Sequence, residues 1–173
     1  MLTSSSGVSL RMFEAADFPA LFDINCAGVP GVSEESRSSF AHIVSLSTCI
    51  VACEGGHVLG FVNLVEPGTE AYESPNLRWC EAYGAAKAVS QIYVDRIAIH
   101  EDARGRGLGE ALYRECFSRY ADRDVITAEV NTLPDNPGSH RFHQRLEFER
   151  VGEQVFKPGE KAVAYYARAL RSA

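Results

Sequence analysis

The chain has 173 residues, 46% of them hydrophobic and 23% charged, with a formal net charge of −6 at pH 7. That length fits one domain, residues 1–173, which can bury roughly 70% of its unfolded surface around a single core without staples. The composition is that of an ordinary globular protein. The acidic balance argues against nucleic-acid binding as the main activity, and no apolar stretch approaches the roughly 18 residues that a membrane-spanning helix needs.

Met1 to Gly7 lacks the basic region and apolar core of a secretory signal and reads as a frayed end. Residues 8–13 read as a first strand. Asp17 is placed to cap a helix carrying Phe18, Leu21, Phe22 and Ile24, with Pro19 in the first turn, where a missing N–H is tolerated. Gly28-Val29-Pro30-Gly31 ends it, and Ser33 is placed to cap a second helix reaching about Ser45. Glu34 and Glu35 then suit that helix's first turn or line an acceptor cleft. Cys49 to Glu54, Gly55-Gly56 and His57 to Val65 read as a β-hairpin. Residues 66–89 are long for a connection, and Leu77 to Ala88 can form a short helix within them. Such an insertion serves as a functional loop, a dimer contact or a surface excursion.

A strand at 91–99 follows, then a glycine-rich turn, a helix to about Tyr120, a strand from Val125 to Val130, a helix from Asn136 to about Leu146, and closing strands from Phe148 to Phe156 and Ala162 to Ala169. The order is β-α-α-β-β-β-α-β-α-β-β, an α/β mixed sheet with helices on its faces. The five cysteines are odd in number, sit in apolar surroundings and contain no CxxC, which suits free thiols in a reducing cytoplasm. No metal is expected without paired ligand spacing. His42, His57, His100 and His140 read as surface or capping residues, and Tyr165-Tyr166 as sheet packing.

The most informative stretch is Arg104-Gly105-Arg106-Gly107-Leu108-Gly109. Strand, glycine turn and helix make an anion cradle: glycines let successive N–H groups converge, the helix start adds partial positive charge, and the two arginines add full charges. The guest implied is a pyrophosphate. A Walker A loop would need Gly-Lys-Ser/Thr, and a dinucleotide fingerprint would need G-x-G-x-x-G; the spacing here meets R-x-x-G-x-G instead.

Together with Asn136-Pro137-Gly138-Ser139-His140-Arg141-Phe142-His143-Gln144-Arg145-Leu146-Glu147-Phe148, this stretch resembles the GNAT N-acetyltransferase superfamily. Tyr93-Val94-Asp95-Arg96, Glu129-Val130-Asn131 and Tyr72 to Asn76 look closest to a bacterial subgroup of poorly characterised acetyltransferases. The resemblance implies a GNAT-like, mostly antiparallel sheet and acetyl-CoA as cosubstrate. It places the pantetheine arm and oxyanion on the backbone of Ile97, Ala98 and Ile99, and the pyrophosphate on Arg104, Gly105, Arg106, Gly107, Leu108 and Gly109. Asn136, Ser139, Phe142 and His143 flank the thioester. The chain departs from the family pattern at His143, where a tyrosine is usual, and at Glu147, where a glycine is usual.

The implied reaction is direct attack of a primary amine, on a small molecule or a peptide terminus, in a ternary complex. A lysine-type amine of pKa near ~10.4 is neutral only about one part in 10³ at neutral pH, so a base is needed. Glu129 and Asp95 are the candidate bases, with neither as the remaining alternative; Asp95 and Arg96 could also form a structural ion pair or mark a bulge. His143 is either the general acid or a hydrogen-bonding neighbour, and Asn136 either holds pantetheine or caps its helix. Two other readings stay open: a non-catalytic CoA-binding sensor on this fold, and a nucleotide-binding module. No nucleic acid or membrane partner is expected, and a homodimer through the insertion or last strands is left open.

Overall fold

A computed structural model describes residues 7–171. Of the end expected to fray, residues 1–7, residues 1–6 lie outside the described residues. The elements are β1 (Val8–Met12), α1 (Phe18–Gly28), α2 (Arg37–Ser45), β2 (Thr48–Glu54), β3 (His57–Val65), α3 (Pro75–Lys87), β4 (Gln91–Ile99), α4 (Leu108–Arg119), β5 (Val125–Leu133), α5 (Pro137–Arg145), β6 (Glu149–Lys157) and β7 (Lys161–Ala169). The seven strands lie in the order β1-β2-β3-β4-β5-β7-β6. The β1–β2, β2–β3, β5–β7 and β6–β7 pairs are antiparallel, and β4–β5 is parallel. This is the expected mixed, mostly antiparallel α/β sheet, with one helix, α3, added to the expected order.

Two compact units share β4. The first comprises the chain up to Leu64 and Arg96–Ser118; the second comprises Val65–Asp95 and the chain from Arg119 onward. In the first unit the apolar faces of α1 and α2 pack Leu21, Ile24, Phe40 and Val44 against Cys49, Val51, Cys53 and Phe61 of the β2–β3 hairpin, and against Ala98 of β4. Gly60 permits close approach to β4: a Cβ there would lie 3.0 Å from the Ala98 carbonyl. In the second unit Leu77 and Cys80 of α3 pack on Val65, Tyr93, Val163 and Tyr165.

Local capping differs from expectation at two helices. Ser36, not Ser33, caps α2, accepting from the Ser39 N–H at 3.1 Å. The Ser33 carbonyl instead receives the Asn25 amide, which holds that stretch out of the helix. Asp17 precedes α1 but makes no side-chain cap to it. Its carboxylate takes the Arg11 guanidinium at 2.7 and 2.8 Å and the Glu14 N–H at 2.8 Å, and that pairing holds it well below the usual carboxylate range. Among the cysteines, Cys26 is exposed, whereas Cys49, Cys53, Cys80 and Cys116 are buried. Among the described residues no helix is long and apolar enough to cross a membrane.

Candidate active site

In the first unit the glycine turn has the backbone that its composition implies. Gly105 and Gly107 both adopt left-handed conformations, at φ 74° and 77°, directly before α4 begins at Leu108. No heavy atom lies within 4 Å of where either Cβ would stand, so conformation rather than crowding requires glycine there. Alternating backbone hands before a helix start are the general arrangement in which successive N–H groups gather around an anion. The two arginines are not equivalent. Arg106 donates to Glu54 Oε1 at 2.7 Å, while the Nε of Arg104 donates to the Ile99 carbonyl at 3.3 Å. Gly109 falls within the first turn of α4.

Arg96 is buried at 5% exposure in the same unit. It donates to Asn25 Oδ1 at 3.0 Å, reaches Glu35 Oε1 at 3.4 Å and lies 5.7 Å from the Phe40 ring centroid. Glu35 precedes α2 and partners Arg96 and the Ser39 hydroxyl rather than occupying that helix's first turn. Neither residue signals this pairing in the sequence, where they stand 61 positions apart.

In the second unit the parallel β4–β5 ladder registers Gln91 with Val125 through Val94 with Ala128 and goes no further. Asp95 and Glu129 are the next residues on the two strands, so both candidate bases stand at the ladder's end. Their partners come from the inserted segment: the Tyr72 hydroxyl donates to Asp95 Oδ1 at 2.5 Å, and Asn76 Nδ2 donates to Glu129 Oε1 at 3.0 Å. Both carboxylates are half-buried. Tyr93 and Tyr165, fully buried, have phenols pushed up first by burial and next by the Glu129 carboxylate. Burial and then Glu129 raise the Cys80 thiol in the same way. Glu129 therefore lies near three groups that burial keeps neutral. Tyr165, expected only to pack the sheet, belongs to this cluster: its hydroxyl lies 2.8 Å from Asn76 Oδ1.

The α5 side chains are held by local hydrogen bonds and ring contacts. Asn136 caps α5, accepting from the Ser139 N–H at 3.2 Å. Phe142 is half-buried with its ring edge against His143. His143 is 3% exposed, its Nδ1 lies 2.8 Å from the Ser139 carbonyl, and Phe148 packs against it. A carbonyl only accepts, so Nδ1 carries the proton of a neutral ring. Burial pushes the His143 pKa down to about 4, which leaves no imidazolium to donate near neutrality. His140 is not a surface residue either; its ring bridges the Tyr166 hydroxyl at 2.7 Å and the Asn131 carbonyl at 3.0 Å. Glu147 stands at φ 65°, the left-handed conformation a glycine would adopt more cheaply, and its carboxylate meets Arg168 at 2.9 Å.

The buried His143 sets a pH dependence of stability. Between its folded pKa of about 4 and the ordinary 6.5, the unfolded chain holds a proton that the folded chain does not. Stability is therefore complete above the ordinary value and falls as the pH drops through this window, by about 3 kcal/mol in total. Urea denaturation at about pH 7.5 and about pH 4.5 measures this. His143→Gln, which cannot titrate, is expected to lose less stability on acidification than the native chain.

The acetyltransferase (GNAT) family model matches residues 17–148. An L-2,4-diaminobutyric acid acetyltransferase of Shouchella clausii is 26% identical over 118 residues, 66% of this chain and 56% of that protein. The ribosomal-protein-S18-alanine N-acetyltransferase of Escherichia coli superimposes with a TM-score of 0.71 at 16% identity, covering 96% of both chains. The yncA protein of Salmonella typhimurium, described as an acetyltransferase and solved with its cofactor acetyl-CoA, gives 0.68 at 17% identity, covering 97% of this chain and 96% of that one. The chain spans 26% of the Streptomyces griseus N-acetyltransferase that it matches and about half of the diaminobutyric acid enzymes.

Proposed function

The chain belongs to the acetyltransferase (GNAT) family, and we propose that it moves the acetyl group of acetyl-CoA to a primary amine by direct attack in a ternary complex. The observation that carries this reading is the end of the β4–β5 ladder, where each strand's next residue is a half-buried carboxylate that accepts from a neutral donor of the inserted segment. Bound acetyl-CoA supplies the activated thioester. Glu129 takes one proton from the acceptor ammonium and so frees the lone pair that attacks the thioester, a task worth roughly 4 kcal/mol for a lysine-type amine. Asp95, with Tyr72 on one oxygen, binds and orients the amine. Backbone N–H groups of Ile97 to Ile99 stabilise the oxyanion, where preorganised donors have their largest effect. With His143 neutral and buried, no side chain is assigned to the departing sulfur: as the tetrahedral intermediate collapses, the C–S bond breaks and the second amine proton passes to the thiolate or to water. Asn136, Ser139, Phe142 and His143 shape the helix beside the thioester.

The acyl carrier's pyrophosphate is assigned to residues 104–109, chiefly to their backbone N–H groups and Arg104. Calorimetric titration with acetyl-CoA, with NAD as control, tests this. Arg104→Ala is expected to weaken acetyl-CoA binding by about tenfold or more, the worth of a charge-assisted hydrogen bond. Arg106→Ala weakens it less, because Arg106 must first leave Glu54. No binding by folded protein overturns the assignment. A thiol-release assay then screens amines, beginning with amino acids that carry a second amine, the substrate class named for the diaminobutyric acid relatives. Binding without release of thiol with any amine would leave a CoA-binding sensor.

A further inference from the structure

We propose that Asn76, locked in place by Tyr165 and Trp79, orients the carboxylate of Glu129 for proton removal, which makes the inserted segment a positioning element of the active site rather than a surface excursion. The inference rests on the reading of Glu129 as the base. It begins with a relay of neutral groups in the second unit. The Tyr165 hydroxyl, 2.8 Å from Asn76 Oδ1, fixes which way the amide faces, and this turns Nδ2 toward Glu129 Oε1 at 3.0 Å. Gln154 Oε1 lies 2.9 Å from the same hydroxyl. A hydroxyl has one proton to give, so both bonds coexist once the Gln154 amide is turned to donate to the phenol oxygen.

The relay is held by packing. Trp79 stacks on Tyr165 with centroids 3.9 Å apart and planes 5° from parallel, and the Tyr83 ring is stacked with Trp79 at 5.8 Å. Gly152 stands opposite Tyr165 in the β6–β7 ladder, and a Cβ there would come within 2.2 Å of the Trp79 ring. The indole thus lies where β6 has no side chain. The start of α3 is equally fixed: Ser74 Oγ accepts from the Leu77 N–H, and Arg78 donates to the carbonyls of Thr69 and Tyr72. Asn76 sits one residue inside that helix start, directly after Pro75.

An amide suits this place. It donates to the carboxylate without neutralising it, so the group stays ionised and able to take a proton, whereas an arginine would hold the pair as an ion bridge. Ionisable groups that feel the Glu129 charge include Tyr93 of β4, Cys80 of α3 and Tyr165 of β7, and Tyr93 also feels Asp95 and Tyr72. Burial keeps the Tyr93 and Tyr165 phenols and the Cys80 thiol neutral through the working range, so these three do not shape the acid side of a rate profile.

The test measures kcat against pH, together with acetyl-CoA affinity and melting temperature, for Asn76→Ala, Asn76→Asp and Tyr165→Phe. Asn76→Ala is expected to lower kcat by about 10–100-fold, the scale of a misplaced catalytic group. It also raises the lower apparent pKa of the kcat profile by about one pH unit, because a donor to the ionised carboxylate has gone. Asn76→Asp raises it further by placing a second negative charge there. Tyr165→Phe keeps the Trp79 stack and moves the profile in the same direction by less. Acetyl-CoA affinity is unchanged in all three. Folded Asn76 variants with an unmoved profile overturn the inference, even if kcat falls. Glu129→Gln separates the two layers: if it stays active the base reading itself fails, and if it is inactive while the Asn76 profiles stay put, only the positioning role fails.

Discussion

Glu129→Gln is expected to lower kcat for amine acetylation by about 10²–10⁴-fold, the usual worth of a positioned general base, with acetyl-CoA affinity unchanged. Glutamine matches the shape of glutamate and can still meet the Asn76 amide through its carbonyl oxygen, so the loss isolates basicity from packing. Asp95→Asn is the necessary companion. Asp95 occupies the equivalent place on the neighbouring strand, one residue beyond the last registered pair. If Asp95 orients the amine, its amide variant raises KM more than it lowers kcat. A larger kcat loss in Asp95→Asn than in Glu129→Gln would exchange the two roles. Full activity in both would remove the carboxylates from the chemistry and leave amine deprotonation to solvent, which would confine efficient acceptors to weakly basic amines.

Much of this arrangement is legible in the amino-acid sequence, and the part that is not has a common cause. The β2–β3 hairpin and β4 are legible because apolar runs bounded by Gly55-Gly56 or by a glycine turn constrain the chain locally. The glycine turn before α4 is legible because only glycine adopts φ near 75° cheaply, so its spacing carries geometry. The helix in the insertion is also legible. Its role is not, because Asn76 meets Tyr165 across 89 positions and Glu129 across 53, and no local pattern records such pairs. The same holds for Arg96 with Glu35. At α2, Ser33 and Ser36 offer equal capping chemistry, and a tertiary bond from Asn25 decides between them. His143 shows the converse limit: its place in the motif is visible, but the burial that makes it a neutral packing group is not.

The largest stability effect is expected from Phe40→Ala, at about 3–5 kcal/mol. Phe40 is fully buried in the first unit, with ring centroids of Phe18, Phe22 and Phe61 at 5.7, 5.9 and 5.9 Å. Removing the ring opens a cavity that three other rings line, and stiff aromatic walls collapse poorly into such a space. For a chain of this length the loss corresponds to a fall in melting temperature of roughly 10 °C. The ring also covers the guanidinium of Arg96, 5.7 Å from its centroid. A buried cation that loses this cover keeps Asn25 and Glu35 but becomes less well compensated. A double-mutant cycle of Phe40→Ala with Arg96→Met therefore measures a coupling energy of about 0.5–2 kcal/mol. Coupling near zero would assign the whole Phe40 effect to cavity formation. Coupling in the expected range would mean that one aromatic cluster both fills the first core and holds in place the strand residue that directly precedes the Ile97–Ile99 backbone proposed to stabilise the oxyanion.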